Sequence, residues 1–294
     1  MKKLFGIYIG IAAAIAALVS CSEENPIADV AIFEDDISSA ATIDVLFEDI
    51  DDAIDYSVEQ SGTAAMKTAM QGGPGRYSDC ATITLDETTN TKTVDFGEEG
   101  CEGRDGRIRK GKIHFVHTGE RGLPGDTKVI TFEGFSVDTI GIEGVRTIIN
   151  SSEAESSTKI LSITLVGGKI TFPDETFVTR DEEKTKTKFF DETSSLIEKT
   201  VYGTATGVNK DGLTYTHSID ESTPKLYTTA CRELSKVAAV SGVQLIQVEG
   251  ESDKTIDFGD GTCDNIVTVT QDGVSTEVEI DPRQRRRRHQ RPAR

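Results

Sequence analysis

Residues 80–280 alternate apolar and polar side chains with a period of two, and this pattern constrains the fold more than any other feature of the chain. In one run, Leu161, Ile163 and Leu165 alternate with Ser162 and Thr164. Successive side chains of a β-strand point to opposite faces, so the period predicts half-buried strands. Turn-forming clusters separate the runs at Gly119–Gly125, Gly167-Gly168, Asn209–Gly212, Gly250–Asp253 and Asp272-Gly273. We therefore expect residues 73–281 to be a mainly β domain, an antiparallel β-meander that forms a curved sheet or a sandwich.

One glycine interrupts this alternation and indicates a bulge. Ile130 and Phe132 share one parity, whereas Phe135 and Val137 share the other. An extra residue in a strand changes which side chains face the core, and glycine tolerates the backbone conformation that this requires. We predict a bulge or a tight bend at Gly134.

An N-terminal amphipathic helix is predicted within a helical segment, residues 31–72. Apolar side chains recur at the i, i+3, i+4, i+7 and i+11 positions of one helical face. They are Ile43, Leu46, Phe47, Ile50 and Ile54. Thr42 is the expected N-cap, and Asp44 would place a negative charge in the first turn. Such a face packs on the protein's own body or on a partner, and we expect the former.

An internal repeat suggests how the cysteines pair. The segment Lys92–Cys101 recurs as Lys254–Cys263, and both copies carry Asp-Phe-Gly, three further residues and a cysteine. Each copy also follows an upstream cysteine, Cys80 or Cys231. Four cysteines allow three pairings, and the repeat favours the sequential one, in which each disulfide would stabilise by about 3 kcal/mol. The predicted disulfides are Cys80–Cys101 and Cys231–Cys263.

The N-terminus has the features of an export signal that ends at a lipidated cysteine. A short basic start precedes an uncharged apolar run from Leu4 to Val19, which is typical of a secretory signal peptide and short for a membrane-spanning helix. The ending Leu18–Cys21 resembles the lipobox of bacterial lipoproteins, whose cysteine is acylated and becomes the first mature residue. The resemblance implies a signal peptide over residues 1–20 and an acylated tether over residues 21–30. Two or more acyl chains on Cys21 would anchor the protein stably in a membrane.

The body of the protein is strongly acidic. The whole chain has a net charge of −18, and residues 21–282 alone carry 23 basic and 50 acidic residues, a net charge of −27. A surface of this charge repels nucleic acid and anionic lipid head groups. We therefore expect no nucleic-acid partner.

Two basic clusters stand out against this acidic background. Arg107, Arg109 and Lys110 predict a solvated strand face, with an anion-binding patch as the alternative. Seven arginines and no acidic residue lie in residues 283–294, so residues 282–294 are interpreted as a separate basic tail. The tail would lie against anionic head groups, fold back on the acidic body or stay disordered.

The sequence contains no constellation that indicates catalysis, a cofactor or a metal. Asp-Phe-Gly occurs in protein kinases, but the kinase catalytic loop and nucleotide-binding loop do not accompany it, so we expect a strand-end turn. Asp257, Asp260 and Asp264 lack the spacing of a calcium-binding EF-hand loop. His114 and His117 would point to opposite faces of a strand and could not share a metal. We expect no enzymatic activity.

Five groups of turn and strand residues carry a family resemblance. They are Lys92–Cys101, Asp105–Arg107 with Gly111–Ile113, Ile142–Gly144 with Arg146-Thr147, Gly168–Phe172 and Asp257–Asp264. Over nearly the whole mature chain, they resemble an uncharacterised family of Bacteroidota outer-membrane or surface lipoproteins. Such motifs specify a fold rather than a reaction, and the resemblance implies an outer-membrane lipid-anchored β-protein. Ser22-Glu23-Glu24 resembles the export signal of surface lipoproteins but equally fits an ordinary linker, so the protein would face the periplasm or the cell surface.

These observations predict a cell-envelope lipoprotein that acts as a non-enzymatic binding or structural module, with an envelope protein or a glycan as its partner. A surface glycan-capture lipoprotein is the alternative, although such proteins stack sugars on aromatic rings and this chain has no Trp and six Tyr. An envelope hydrolase is a further alternative, for which the sequence shows no clustered polar site.

Overall fold

The computed structural model describes residues 80–280, except 104, 105, 155, 157, 235 and 237, together with nine residues between 40 and 54. The predicted signal peptide, the predicted lipidation site Cys21, the predicted tether and the basic tail all lie outside these described residues.

The described part is mainly β, as the alternation predicts. The strands are β1 (Thr82–Asp86), β2 (Thr91–Asp95), β3 (Cys101–Glu102), β4 (Ile108–Thr118), β5 (Thr127–Val137), β6 (Ile140–Asn150), β7 (Thr158–Thr171), β8 (Phe177–Phe190), β9 (Leu196–Val208), β10 (Thr214–Ile219), β11 (Lys225–Thr228), β12 (Ser241–Val248), β13 (Lys254–Asp260), β14 (Ile266–Gln271) and β15 (Val274–Glu279). The described residues between 40 and 54 are helical and are named α1. A second, short helix is α2 (Thr229–Glu233).

All fifteen strands belong to one antiparallel sheet that follows the chain as a meander. Only β3 and β11 leave the simple path: β3 pairs with β4, and β11 pairs with both β9 and β12. Strands β10 and β11 pair with successive parts of β9, because Ile219 lies opposite Gly203 and Lys225 lies opposite Val201. They therefore act as one strand that a short loop interrupts.

A row of bulges bends four neighbouring strands. The register shifts between β4 and β5, between β5 and β6, between β6 and β7 and between β7 and β8. A glycine with positive φ lies at each shift, namely Gly111, Gly134, Gly144 and Gly167. Bulges bend a strand and increase its twist, which allows a long sheet to curve. The bulge predicted at Gly134 is confirmed, whereas the turn predicted at Gly167-Gly168 is wrong, because both glycines lie within β7.

The sheet curves around α1, whose apolar face enters the same core. The five apolar residues predicted for that face are between 0% and 4% exposed, and they share one hydrophobic cluster with residues from β2 to β14. The prediction that the helix packs on the protein's own body is therefore confirmed. The N-cap prediction is wrong: Thr42 is buried within the helix, and Ala40 before it is already helical.

The two copies of the repeat fold alike and lie near opposite ends of the sheet. In both, the aspartate accepts a hydrogen bond from the glycine two residues later, Asp95 from Gly97 at 2.8 Å and Asp257 from Gly259 at 2.9 Å. The phenylalanine between them is buried in both copies. The first Asp-Phe-Gly is a strand-end turn, as expected, because β2 ends at its aspartate, whereas the second lies within β13, which continues to Asp260.

The structure contains the two sequential disulfides, Cys80–Cys101 and Cys231–Cys263. Cys101 begins a strand, β3. Cys263 does not, because it lies in the turn before β14, and its partner Cys231 lies in α2.

Candidate functional site

A cavity of about 140 Å³ lies between α1 and the concave face of the sheet. Its walls come from α1, α2 and the strands β6 to β13, with Ile280 after the last strand. A buried water needs roughly 10–15 Å³ of such volume, so the cavity has room for roughly ten water molecules or for a small organic molecule. A second cavity, which Asp51 and Ile54 of α1 also line, has a volume of only about 20 Å³.

Most of the cavity wall is apolar. Val201 on β9 and Ile219 on β10 are buried, as are Ile256 and Phe258 on β13. Phe47 of α1 and Ile163 of β7 add apolar surface on the opposite side. The wall is apolar because, on each of these strands, the side chains that point inward are apolar. The period-two alternation of the sequence predicts this arrangement.

The remaining part of the wall is charged, and Asp44 of α1 is at its centre. The Asp44 carboxylate accepts hydrogen bonds from Arg180 (3.3 Å) and Lys184 (3.1 Å) of β8 and from Lys225 (3.3 Å) of β11. Burial alone would raise the pKa of Asp44, but the three cations hold the pKa well below its usual value. Asp44 is therefore ionised at neutral pH.

Glu182 of β8 forms a second centre beside Asp44. Its carboxylate contacts Arg180 at 2.9 Å, Lys184 at 3.1 Å and Arg146 of β6 at 3.1 Å. Burial opposes ionisation of Glu182, yet these cations lower its pKa. Arg146 also donates two hydrogen bonds of 3.1 Å to Asp51 and thereby joins Glu182 of the sheet to α1.

Four charged side chains project inward from β8 at alternate positions, where an ordinary strand would place apolar residues. They are Arg180, Glu182, Lys184 and Lys186. Lys186 donates a hydrogen bond of 3.0 Å to Asp51. Because Asp44 and Asp51 are seven residues apart, they lie on one side of the helix and can reach this row. The charges hold α1 against the sheet and line the cavity at the same time.

Lys225 stands where the charged and the apolar parts of the wall meet. Its side chain is 5% exposed, and its ammonium lies 4.6 Å from the centre of the Phe258 ring. Burial lowers the pKa of Lys225, although the nearby Asp44 opposes this effect. The ammonium is thus poorly solvated and close to the cavity.

A neutral histidine lies behind the charged cluster. Burial, together with the positive charge of Arg180, lowers the pKa of His217 to about 3. The ring is 4.6 Å from that of Tyr215, whose hydroxyl donates a 2.8 Å hydrogen bond to the carbonyl of Thr179. His217 and Ser218 are consecutive in β10 and therefore face opposite sides of the sheet, so they do not form a catalytic pair.

The solvated strand face predicted at Arg107, Arg109 and Lys110 is correct for the exposed Lys110 but wrong for Arg109. Arg109 is 1% exposed, so it belongs to the interior rather than to a solvated face. Arg107 forms an ion pair with Asp138 at 3.3 Å. The structure places the concentration of buried cations in the cavity instead.

The other sequence-level candidates have local structural partners. Asp260 and Asp264 accept hydrogen bonds from backbone amides two residues later, which is how short loops are held. His114 contacts Glu133, whereas His117 contacts Asp126, so the two histidines are separate, as predicted. No group of three potential metal ligands occurs among the described residues.

The charged part of the cavity was not anticipated from the sequence. Two signals point to it in retrospect. One is a pair of aspartates, Asp44 and Asp51, beside the apolar helical face, and the other is a long strand, β8, whose two faces are both polar. Each signal taken alone is typical of a solvent-exposed element.

Comparison with protein family models, with curated proteins and with solved structures gave no match for this chain. Neither helix in the described ranges is both long and apolar enough to cross a membrane.

Proposed function

We propose that the protein is a cell-envelope lipoprotein, anchored through acyl chains on Cys21, that acts as a non-enzymatic binding module. The observation that carries the proposal is the cavity beneath α1, in which a continuous apolar wall meets several convergent charged groups. Small-molecule sites are typically concave and mostly apolar, with a few polar groups that orient the ligand. The anchor rests on the lipobox-like ending at Cys21, and the two disulfides are typical of an oxidising compartment outside the cytosol.

The protonation states of the cavity support binding rather than catalysis. A general acid or base works best with a pKa near the working pH. The pKa values of Asp44 and Glu182 are lowered, which keeps both groups ionised as partners of cations, and His217 stays neutral well below neutral pH. Because none of these groups changes its protonation state near neutral pH, they are suited to holding charged groups in fixed positions rather than to transferring protons.

The aromatic residues of the cavity argue against glycan capture. Sugar-binding sites present exposed ring faces, but Phe47 and Phe258 are buried in the core. The Tyr227 ring has the Lys199 ammonium 4.9 Å from its centre. The cavity is therefore better suited to an apolar molecule than to a sugar.

Mass analysis of the protein purified from the membrane fraction tests both parts of this proposal. We expect loss of residues 1–20 and added acyl mass on Cys21. Under native conditions we also expect a bound small molecule that is absent from an Ala239→Leu variant, because Ala239 lines the cavity and leucine would fill part of it. A soluble, unacylated product would refute the anchor, and equal ligand content in both proteins would refute the cavity as the binding site.

A further inference from the structure

The Lys225 ammonium has more hydrogen-bonding capacity than its neighbours use. It carries three N–H donors, and its carboxylate partner among the described residues is Asp44, at 3.3 Å. Its other close neighbour is the face of the Phe258 ring, which attracts a cation but accepts no conventional hydrogen bond. A buried ammonium that lines a cavity in this way is prepared to bind a further acceptor.

The charges around Lys225 leave an excess of positive charge. Among the described residues of the cluster, five cations face three carboxylates. They are Arg146, Arg180, Lys184, Lys186 and Lys225 against Asp44, Asp51 and Glu182. Arg180 Nη1 is also buried and has no hydrogen-bond partner within the described part of the chain. An uncompensated buried cation is costly, and an anion bound in the cavity would relieve that cost.

This positive site is unusual for the protein that contains it. The chain as a whole has a net charge of −18. The surface would repel anions, whereas the interior of the cavity would attract them. The binding free energy from apolar contacts and from the buried cations must therefore exceed the free energy that an anionic ligand loses when it leaves water.

The apolar surface for such a ligand lies directly beside Lys225. Val201 is the residue opposite Lys225 in the β9–β11 pairing, and Phe258 packs under its ammonium. Ile256 lies two residues before Phe258 on the same face of β13. One molecule could therefore touch the charged and the apolar parts of the wall together.

We propose that the cavity binds an organic anion with an apolar body, with its acid group against Lys225 and Lys184 and its body against Val201, Ile256 and Phe258. The acid group would be a carboxylate, a phosphate ester or a sulfonate, since all three accept several hydrogen bonds from ammonium groups. This inference rests on the proposed binding function and specifies the ligand class of the same cavity.

Three water-soluble probes separate the contributions of charge and apolar surface. Full-length protein in a non-ionic detergent is titrated calorimetrically at pH 7.5 with 1-naphthoate, with 1-naphthol and with inorganic phosphate. We expect naphthoate to bind at least tenfold more tightly than either naphthol, which lacks the charge, or phosphate, which lacks the apolar body. The Ala239→Leu variant in the same detergent corrects for partitioning of the probes into micelles.

Two lysine variants test the position of the acid group. Lys225→Met keeps the unbranched side chain as far as Cε and removes its charge. Naphthoate affinity should therefore fall at least tenfold, while naphthol affinity stays the same. The unchanged naphthol affinity also shows that the variant folds. Lys169→Met is the matched control, because Lys169 is exposed and pairs with Glu143 outside the cavity.

Each outcome has a defined meaning. Equal affinity for naphthoate and naphthol, or a Lys225→Met variant that binds naphthoate normally, would refute the anionic ligand class but leave the cavity as a binding site. Equal heats from the wild type and Ala239→Leu with every probe would refute the ligand class and count against the proposed function as well. A tenfold preference for naphthoate that disappears in Lys225→Met would support the inference.

Discussion

Buried ion pairs hold α1 against the sheet. Arg146 contacts Asp51 of the helix and Glu182 of β8, and its side chain is only 3% exposed. The Coulombic attraction of the two carboxylates outweighs the desolvation of the guanidinium, so the pKa of Arg146 is raised. Removing one member of such a cluster leaves its partners charged in a region that water does not reach.

Replacing Arg146 should therefore destabilise the protein strongly. We expect Arg146→Met to lower the free energy of unfolding by about 3–5 kcal/mol, because Asp51 and Glu182 would lose a shared cation. Urea denaturation followed by circular dichroism measures the change. The control is Lys169→Met, which removes an exposed pair at 3.6 Å and should cost less than about 1 kcal/mol. Equal effects of the two variants would contradict the importance of the buried cluster.

His217 should make stability depend on pH before the carboxylates titrate. The pKa of His217 falls to about 3 in the folded protein, whereas an unfolded histidine titrates near its model value of 6.5. The folded state thus binds fewer protons, so stability is complete above about pH 6.5 and declines as the pH falls towards 3. We expect a loss of about 1 kcal/mol per pH unit between pH 6 and pH 5. A His217→Phe variant should lack this slope, and a slope equal to that of the wild type would contradict the assignment.

Asp44 and Glu182 add a second loss of stability at lower pH. Their pKa values are lowered in the folded state, so their contribution is complete above the unfolded values and is lost as the pH falls through the folded ones. The unfolded reference values are 3.8 and 4.5. The decline below about pH 4.5 should therefore persist in His217→Phe and become shallower in Asp44→Asn, as measured by urea midpoints at each pH.

Among the elements, strands β4 to β7 show how bulges bend a β-meander into a curved sheet. The sequence indicated the bulge at Gly134 because two apolar pairs change parity around it. It did not distinguish the bulge at Gly167-Gly168 from a turn, because two consecutive glycines suit both. In the structure, β7 pairs with β6 and with β8 on both sides of these glycines, which identifies a bulge rather than a turn.

Gly111 and Gly122 provide a matched test of the bulge row. Both have positive φ, +72° and +79°. A Cβ on Gly111 would clash with the carbonyl oxygen of Gly134, whereas a Cβ on Gly122 would meet nothing within 4 Å. Gly122→Ala should lower the free energy of unfolding by about 1–2 kcal/mol, because alanine is strained in the left-handed conformation. Gly111→Ala should cost about 1–3 kcal/mol more, because the backbone of β5 must move. Chemical denaturation measures both variants. Equal losses in the free energy of unfolding would contradict the importance of the close contact between Gly111 and Gly134.

At the scale of the whole molecule, one open sheet and one helix share a single core. The N-terminal helical segment and the β region were predicted as successive parts of the chain, but α1 lies within the curve of the sheet. The two disulfides are placed near the two ends of this sheet, Cys80–Cys101 beside β1 to β4 and Cys231–Cys263 between α2 and the turn before β14.

Each disulfide should contribute comparably to stability. The linked cysteines are 21 and 32 residues apart, and loops of these lengths correspond to about 3–4 kcal/mol in the chain-entropy model. The double variants Cys80→Ser/Cys101→Ser and Cys231→Ser/Cys263→Ser should each lose roughly this amount in urea denaturation. Peptide mapping without reduction checks the pairing itself, and a Cys80–Cys231 peptide would contradict it.

The sequence by itself determined the features that depend on neighbours along the chain: the strands, the amphipathic face of α1, the Gly134 bulge and the sequential disulfides. Each follows from a local periodicity or a short repeat, which short-range sterics translate directly into structure. Only the tertiary structure decided the cavity and its charges. Asp44 and Lys225 are 181 residues apart and Asp51 and Arg146 are 95 apart, and no local pattern specifies such a contact. The curvature of the sheet brings them together, and the low polarity of the core that it encloses makes their charges matter.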